Sequence, residues 1–351
     1  MQSHAQPSTP PAKRLALIDD PVFGLHGCPS GHPERPERLD AARAGAARAD
    51  SGLQQCELSA RPAEEDELVR VHDAAYIDSL GHLAGKSGYL DADTFFGPRS
   101  IEAARVAAGA AIVLCDALID RRAEFGVALV RPPGHHARPS RAMGFCLLNN
   151  VAVAAAHARA RGVERVAIVD FDVHHGNGTQ ECFYDDPSVL YVSLHQWPHY
   201  PGTGAATECG RGEGLGYTVN VPLSAGAGDA TYLAAMQRVV APVLEEYRPG
   251  LLLVSAGYDA HARDPLAQMC LSEHGYAAIT ERLLAALPAE VGVGLVLEGG
   301  YDLIGLSESL AATLQALGGG KPEPSTDALS TTHERDLDLV SRIAGNFWRL
   351  D

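Results

Sequence analysis

Six short apolar runs punctuate the chain: LALI (15–18), GVALV (126–130), RVAIV (165–169), VLYVSL (189–194), LLLVSA (251–256) and VGLVLE (293–298). Each is continuously hydrophobic rather than alternating, which marks strands buried on both faces of a parallel sheet. Their length and the flanking Gly and Pro favour strand over helix. Helical segments lie between them. Ser100 to Ile119 is alanine-rich, and Asn150 to Ala160 runs up to a stop at Gly162. Asp229 can cap a helix reaching Tyr247, ended by Arg248, Pro249 and Gly250. Ser272 can cap another that reaches about Leu287, before Pro288. Stretches 199–216 and 318–332 are Gly- or Pro-rich loops. Strands alternating with helices predict an α/β fold. With no internal repeat or dividing linker, residues 15–351 read as one domain behind a disordered tail at 1–14.

Four of the strands run directly into polar, mostly ionisable residues. GVALV leads into RPPGHH, RVAIV into DFDVHHGNG, LLLVSA into GYDAH, and VGLVLE into GGYD. In open parallel sheets the ligand site lies beyond the carboxyl ends of the strands. His135, His136, Asp170, Asp172, His174, Asp259 and Tyr301 are therefore expected to converge there.

The residue types suggest a chemistry. Asp172 and His174 are two apart, a spacing that puts both side chains on one side of extended chain. Asp259 can add a third ligand, and two carboxylates with one imidazole suit zinc or ferrous iron. Three protein ligands leave a position for water and substrate. The competing account of the cluster, a hydrogen-bonded core group, leaves its buried negative charge without a cation. The adjacent imidazoles of His135 and His136 can divide base and acid roles if their surroundings push their pKa values apart. Asp170 and Asn177 can accept hydrogen bonds from the far ring nitrogens and so fix the tautomers. Tyr301, after two glycines, can aim a phenol at an oxyanion.

Charge and composition narrow the partners. A formal charge of −16 argues against a nucleic-acid ligand and fits a cationic one. The seven cysteines are odd in number and form no CxxC, so neither a disulfide framework nor a zinc ribbon is indicated. A reducing cytoplasm is expected. The segment MQSHAQPSTPPAKR lacks the apolar core of a signal peptide, and no apolar stretch is long enough to span a membrane. Sparse Lys against abundant Arg and Ala suggests a GC-rich bacterial genome.

RPPGHH, GFCLLNNVAVAA, DFDVHHGNGTQ, SLH, YPGTG, NVPL, SAGYDAHARDPL and EGGYD occur in this order from 131 to 302, with HPERPERL at 32–39. Across about residues 15–316 the chain resembles the zinc-dependent histone deacetylase family, which includes acetylpolyamine amidohydrolases and acetoin-utilisation proteins. The resemblance implies an arginase/deacetylase-like three-layer α/β/α fold with a mostly parallel central sheet. It implies deacylation of an acyl-lysine protein or peptide, or of a small acyl-amine, by metal-activated water. Zinc would be held by Asp172, His174 and Asp259, with His135 and His136 as the catalytic pair and Tyr301 polarising the carbonyl. Phe145, next to Gly144, and Tyr200 would line a tunnel for the alkyl chain, and Asp93 would be a rim carboxylate. Structural potassium is implied at Asp170, Asp172, His174, Ser193 and Leu194, and again at Phe183, Val189 and Tyr217. A homo-oligomer is left open.

Three departures from the family pattern stand out. Asn177 occupies a position where class I members have Asp, and GNGTQ looks like class II. Tyr200 adds a hydroxyl where the tunnel usually has a second Phe. Leu266 sits where a polyamine-selective relative carries a gatekeeping Glu, which counts against a polyamine substrate. Two further alternatives are weaker. An arginase-like ureohydrolase needs a second set of metal carboxylates, and only Asp170 is at hand. A non-catalytic binder of acylated lysine would be expected to have lost site residues. The two phenylalanines of TFFGPRS find no role in the pattern.

Overall fold

The computed structural model describes residues 13–323 and 328–350. All but two residues of the expected tail at 1–14 thus lie outside it. The strands are β1 (Arg14–Ile18), β2 (Gln54–Leu58), β3 (Gly88–Tyr89), β4 (Phe95–Phe96), β5 (Phe125–Ala128), β6 (Val166–Asp170), β7 (Val189–Gln196), β8 (Thr218–Leu223), β9 (Leu251–Ala256) and β10 (Gly292–Leu297). The helices are α1 (Glu37–Arg48), α2 (Glu65–Leu68), α3 (Ala74–Gly81), α4 (Ser100–Ile119), α5 (Asn150–Ala160), α6 (Asn177–Phe183), α7 (Asp229–Ala235), α8 (Ala241–Tyr247), α9 (Glu273–Ala285), α10 (Leu303–Leu317) and α11 (Thr331–Ala344). A π turn at Met236–Val240 joins α7 to α8.

Eight strands form one sheet in the order β2-β1-β5-β10-β9-β6-β7-β8, and every pairing in it is parallel. All six apolar runs are strands of this sheet. β5, β6, β7 and β9 are buried along their whole length, as continuous hydrophobicity requires. Helices cover the sheet in two groups. The alanine-rich α4 packs on α5 and against β1, β5 and β10, while α1, α10, α9 and α7 form a second run of contacting helices. The result is the expected three-layer α/β architecture.

The two strands without an apolar run are the sheet edges. β2 is QQCEL, largely exposed and polar. β8 is TVNVPL, whose Pro222 is tolerable where one side needs no ladder partner. Helix α11 packs against β8, and Trp348 donates its indole N–H to the Gly216 carbonyl at 2.8 Å. Asp229 is not the helix cap its position suggested. Gly228 takes that place, and the Asp229 carboxylate instead accepts from the backbone N–H and hydroxyl of Ser272, at 2.8 and 2.6 Å. Ser272 caps α9 as expected, accepting from the Gly275 N–H.

Residues Phe95 and Phe96 belong to the small β3–β4 hairpin, which accounts for TFFGPRS. Phe96 is buried among Leu80, Ile101 and Ile112, and Phe95 stands edge-on to Tyr89 at 5.3 Å. The motif HPERPERL also gains a role. Glu34, 1% exposed, lies between the buried guanidinium groups of Arg38 and Arg131. It pairs with Arg38 Nη1 at 3.2 Å, Arg131 Nη2 at 2.8 Å and His26 Nε2 at 3.3 Å. Burial alone would raise the Glu34 pKa, but Arg131 and His26 outweigh it and hold the carboxyl well below its ordinary range.

Removing one member of such a cluster strands the others. Glu34→Ala is expected to cost about 3–5 kcal/mol, read as a lower urea midpoint. A loss below about 1 kcal/mol would show that the cluster does not hold the fold. Because the folded-state pKa is lowered, this stability is present above the unfolded carboxyl pKa and is lost as pH falls toward the folded one.

Candidate active site

Four adjacent strands, β5, β10, β9 and β6, deliver the ionisable residues to one edge of the sheet. Asp172 and His174 follow β6, Asp259 follows β9, Tyr301 follows β10, and the His135–His136 pair follows β5. All of these but Tyr301, which is partly exposed, are buried.

The ligand-capable atoms of Asp172, His174 and Asp259 all lie within 4.8 Å of one another. His174 Nδ1 is 3.2 Å from Asp172 Oδ1 and 3.0 Å from Asp259 Oδ2. The outer oxygens are already used. Asp172 Oδ2 accepts the Gly299 N–H at 2.8 Å, and Asp259 Oδ1 accepts the Val173 N–H at 2.9 Å. The inner oxygens and the imidazole therefore face a common point. Two carboxylates with no buried cation between them would be costly, and one imidazole with two carboxylates is a donor set that fits zinc with a coordination position left open. Gly299 is required here. A Cβ on it would come within 2.3 Å of Asp259 Oδ2 and 2.5 Å of Asp172 Oδ2.

The histidine pair lies beside this cluster with ring centroids 4.0 Å apart. His135 Nδ1 is 3.0 Å from Asp170 Oδ2, and His136 Nδ1 is 2.8 Å from Asn177 Oδ1. Asp170 is itself fixed by the Tyr191 hydroxyl at 3.1 Å and the Asp172 N–H at 3.1 Å. Burial opposes a charge on His135, but Asp172 and Asp170 outweigh it and push its pKa up to about 10. Burial, then the positive charge of His135, pushes His136 well below the ordinary imidazole range. The surroundings thus push the two imidazoles in opposite directions.

Aromatic rings surround the pair. Phe145 is 6.0 Å from Tyr301, edge to face, and Tyr200 is 5.2 Å from His136 and 6.1 Å from His174. Gly144, at φ +56°, lets the chain turn against His136, where a Cβ would fall 2.4 Å from Cδ2. Thr94 accepts the Phe145 N–H at 3.1 Å, and the neighbouring Asp93 is partly exposed on the same hairpin. The Tyr301 phenol stays protonated, because burial and then Asp259 raise its pKa well above the ordinary value. Leu266 is half-buried, and its carbonyl accepts from His199 Nε2 at 3.0 Å.

Ser193 pairs in register with Asp170, and Leu194 follows it on β7. Of the Phe183, Val189 and Tyr217 set, Phe183 ends α6, Val189 begins β7, and the Tyr217 carbonyl accepts the Tyr191 N–H at 2.9 Å. Four residues were not singled out from sequence. His199 stacks on His174 at 5.1 Å and 21°. Arg38 lies over the Tyr301 ring at 5.0 Å and donates to the Gly300 carbonyl at 2.6 Å. Asp264 accepts the Tyr301 N–H at 2.6 Å. Glu298 accepts from the backbone before His136. Arg38, Asp264 and Glu298 stood within quoted motifs, and only their partners across the chain reveal their place.

A family model describing a histone deacetylase domain matches residues 32–317. The chain belongs to the histone deacetylase family. Histone deacetylase 15 of Arabidopsis thaliana is 42% identical over 326 residues, covering 90% of this chain and 59% of its own length. The human polyamine deacetylase HDAC10 is 43% identical over 330 residues, covering 89% of this chain and 47% of its own length. This deacetylase-family chain thus spans only about half the length of such relatives. The crystal structure of the HDA15 HD domain superposes with a TM-score of 0.87 at 39% identity, covering 96% of this chain and 95% of that one.

If these three side chains hold zinc, replacing Asp259 by Asn weakens one of three ligands and should lower bound zinc per chain severalfold. The check is elemental analysis after dialysis against a metal buffer. Wild-type stoichiometry in the variant would remove Asp259 from the metal site.

Proposed function

We propose that this deacetylase-family chain is a zinc-dependent amidohydrolase that removes acetyl or other acyl groups from the ε-amine of lysine in proteins or peptides. The observation that carries the reading is the convergence of a buried cluster of three ligand-type side chains, a histidine pair backed by a carboxylate on one ring and an amide on the other, and a tyrosine at one sheet edge. A zinc ion held by Asp172, His174 and Asp259 would polarise the scissile carbonyl and acidify a water.

The chain's own residues do the rest. Asn177 presents a carbonyl oxygen to His136 Nδ1, so that nitrogen carries the proton and Nε2 is the free acceptor. His136 then takes the proton of the attacking water and returns it to the leaving amine. His135, charged beside Asp170, contributes positive charge next to the reacting centre. Tyr301 donates a hydrogen bond to the developing oxyanion. Phe145 and Tyr200 flank the acyl-lysine stem, and Asp93 on the rim accepts from substrate backbone. Structural potassium would occupy the two β7 sites.

One residue bears on substrate choice. The charge of −16 and the similarity to a polyamine deacetylase favour an acylpolyamine as the second reading. Leu266, where a gatekeeping carboxylate would select a polycation, favours the lysine substrate. All seven cysteines are unpaired, which supports a cytoplasmic setting. Among the described residues no helix is long and apolar enough to cross a membrane.

Tyr301→Phe is expected to lower kcat by ~10²-fold, the scale of losing one oxyanion donor. A near-normal kcat would remove Tyr301 from the mechanism. Substrate class is read by comparing kcat/KM of the zinc-loaded protein on an acetyl-lysine peptide and on acetylated putrescine and spermidine. The peptide is expected to win by about tenfold, near 1.4 kcal/mol. A polyamine preference would replace the lysine reading.

A further inference from the structure

The candidate groups come from strands on both sides of β10. The metal cluster follows β6 and β9, and the histidine pair follows β5, which pairs with the other edge of β10. Catalysis by proton transfer needs these two sets in register to within a fraction of an ångström. The sheet ladder ends at Ala128 on β5, seven residues before His135, so it does not by itself place the pair.

Glu298 bridges this gap. It follows directly on β10 and is 0% exposed. Its backbone N–H donates to the Ala256 carbonyl of β9 at 3.1 Å. Its side chain points the other way, and Oε2 accepts the N–H of Gly134 at 2.6 Å and of His135 at 3.1 Å. The following Gly299 N–H binds the candidate ligand Asp172, and Tyr301 lies two residues further on. One four-residue segment thus touches the metal cluster, the oxyanion donor and the histidine turn. The second carboxyl oxygen, Oε1, is buried without a hydrogen-bond partner. An unsatisfied buried oxygen is destabilising, so packing alone does not explain a glutamate here.

We infer that Glu298 is a positioning residue whose carboxyl, by gathering the Gly134 and His135 amides, sets His135 and His136 in register with the metal cluster and Tyr301. The inference rests on the reading of His135 and His136 as the catalytic pair. The acceptor is what matters, not the negative charge. Burial raises the Glu298 pKa to about 7, and a protonated carboxyl keeps one oxygen for the two amides.

The test compares Glu298→Ala, Glu298→Gln and Glu298→Asp in the zinc-loaded full chain on one acetyl-lysine peptide. Alanine removes the acceptor and is expected to lower kcat by ~10- to 100-fold, the scale of a displaced catalytic group. KM and bound zinc should stay within about twofold of wild type. Glutamine keeps an oxygen at the same reach and should restore most of kcat. Aspartate keeps the charge but is one methylene short, and should behave like alanine. If alanine does not fold, the glutamine–aspartate comparison still decides. Full kcat in Glu298→Ala, equal losses in glutamine and alanine, or an active aspartate with an inactive glutamine would each overturn the inference. An inactive wild-type holoenzyme would instead sink the functional reading beneath it.

Discussion

Two carboxylates aimed at one buried point dominate this structure. Asp172 and Asp259 come from different strands, and the inner oxygen of each lies within about one hydrogen-bond length of the same imidazole nitrogen. Bringing such groups together in a water-poor interior is unfavourable unless a cation joins them or a positive charge compensates them. Much of the surrounding architecture makes the approach feasible. Parallel pairing of β6 with β9 brings the two chain ends level, and Gly299 gives the carboxylates room that any side chain would fill. Backbone amides satisfy the outer oxygens, and the His174 N–H also donates to the inner oxygen of Asp172, so each carboxylate is held in place by the chain around it.

The same logic explains why the site lies where it does. A parallel sheet ends all its strands at one edge, so loops far apart in sequence meet there without any long excursion. The buried Glu34 cluster extends this principle to the amino-terminal motif. Arg38 reaches from α1 to the Glu298 and Gly300 carbonyls and stacks on Tyr301. A buried guanidinium is thus fixed beside the Tyr301 ring, at the edge that carries Asp172 and Asp259.

Much of this could be read from the chain. Continuous apolar runs revealed six of the eight main-sheet strands because burial on both faces leaves no room for polar alternation. β2 escaped because QQCEL lies on an exposed edge, and β8 because TVNVPL, though buried throughout, has its apolar run broken by Thr218, Asn220 and Pro222. The cluster residues were visible because ionisable groups directly after apolar strands are conspicuous. The roles of Arg38, His199, Asp264 and Glu298 were not, because each acts on a backbone atom or a ring face contributed by another segment. No local spacing encodes such a partner. The Asp229 helix start failed for a related reason: its carboxylate had a tertiary partner in Ser272, and the local cap lost the competition.

The asymmetry of the histidine pair is the last element to place. Adjacent imidazoles in one turn would behave alike if their surroundings were alike. Here one leans on a carboxylate and the other on an amide. A carboxylate stabilises the imidazolium, and an amide oxygen fixes a tautomer with far less effect on charge. Once His135 is charged, its field opposes a second charge 4.0 Å away, so the Asp170–Asn177 difference is amplified rather than averaged. Burial and then the neighbouring His135 hold the His136 pKa low, while the Asn177 oxygen fixes the hydrogen on its Nδ1. Two histidines adjacent in sequence are thereby pushed in opposite directions, His135 toward the charged form and His136 toward the neutral one.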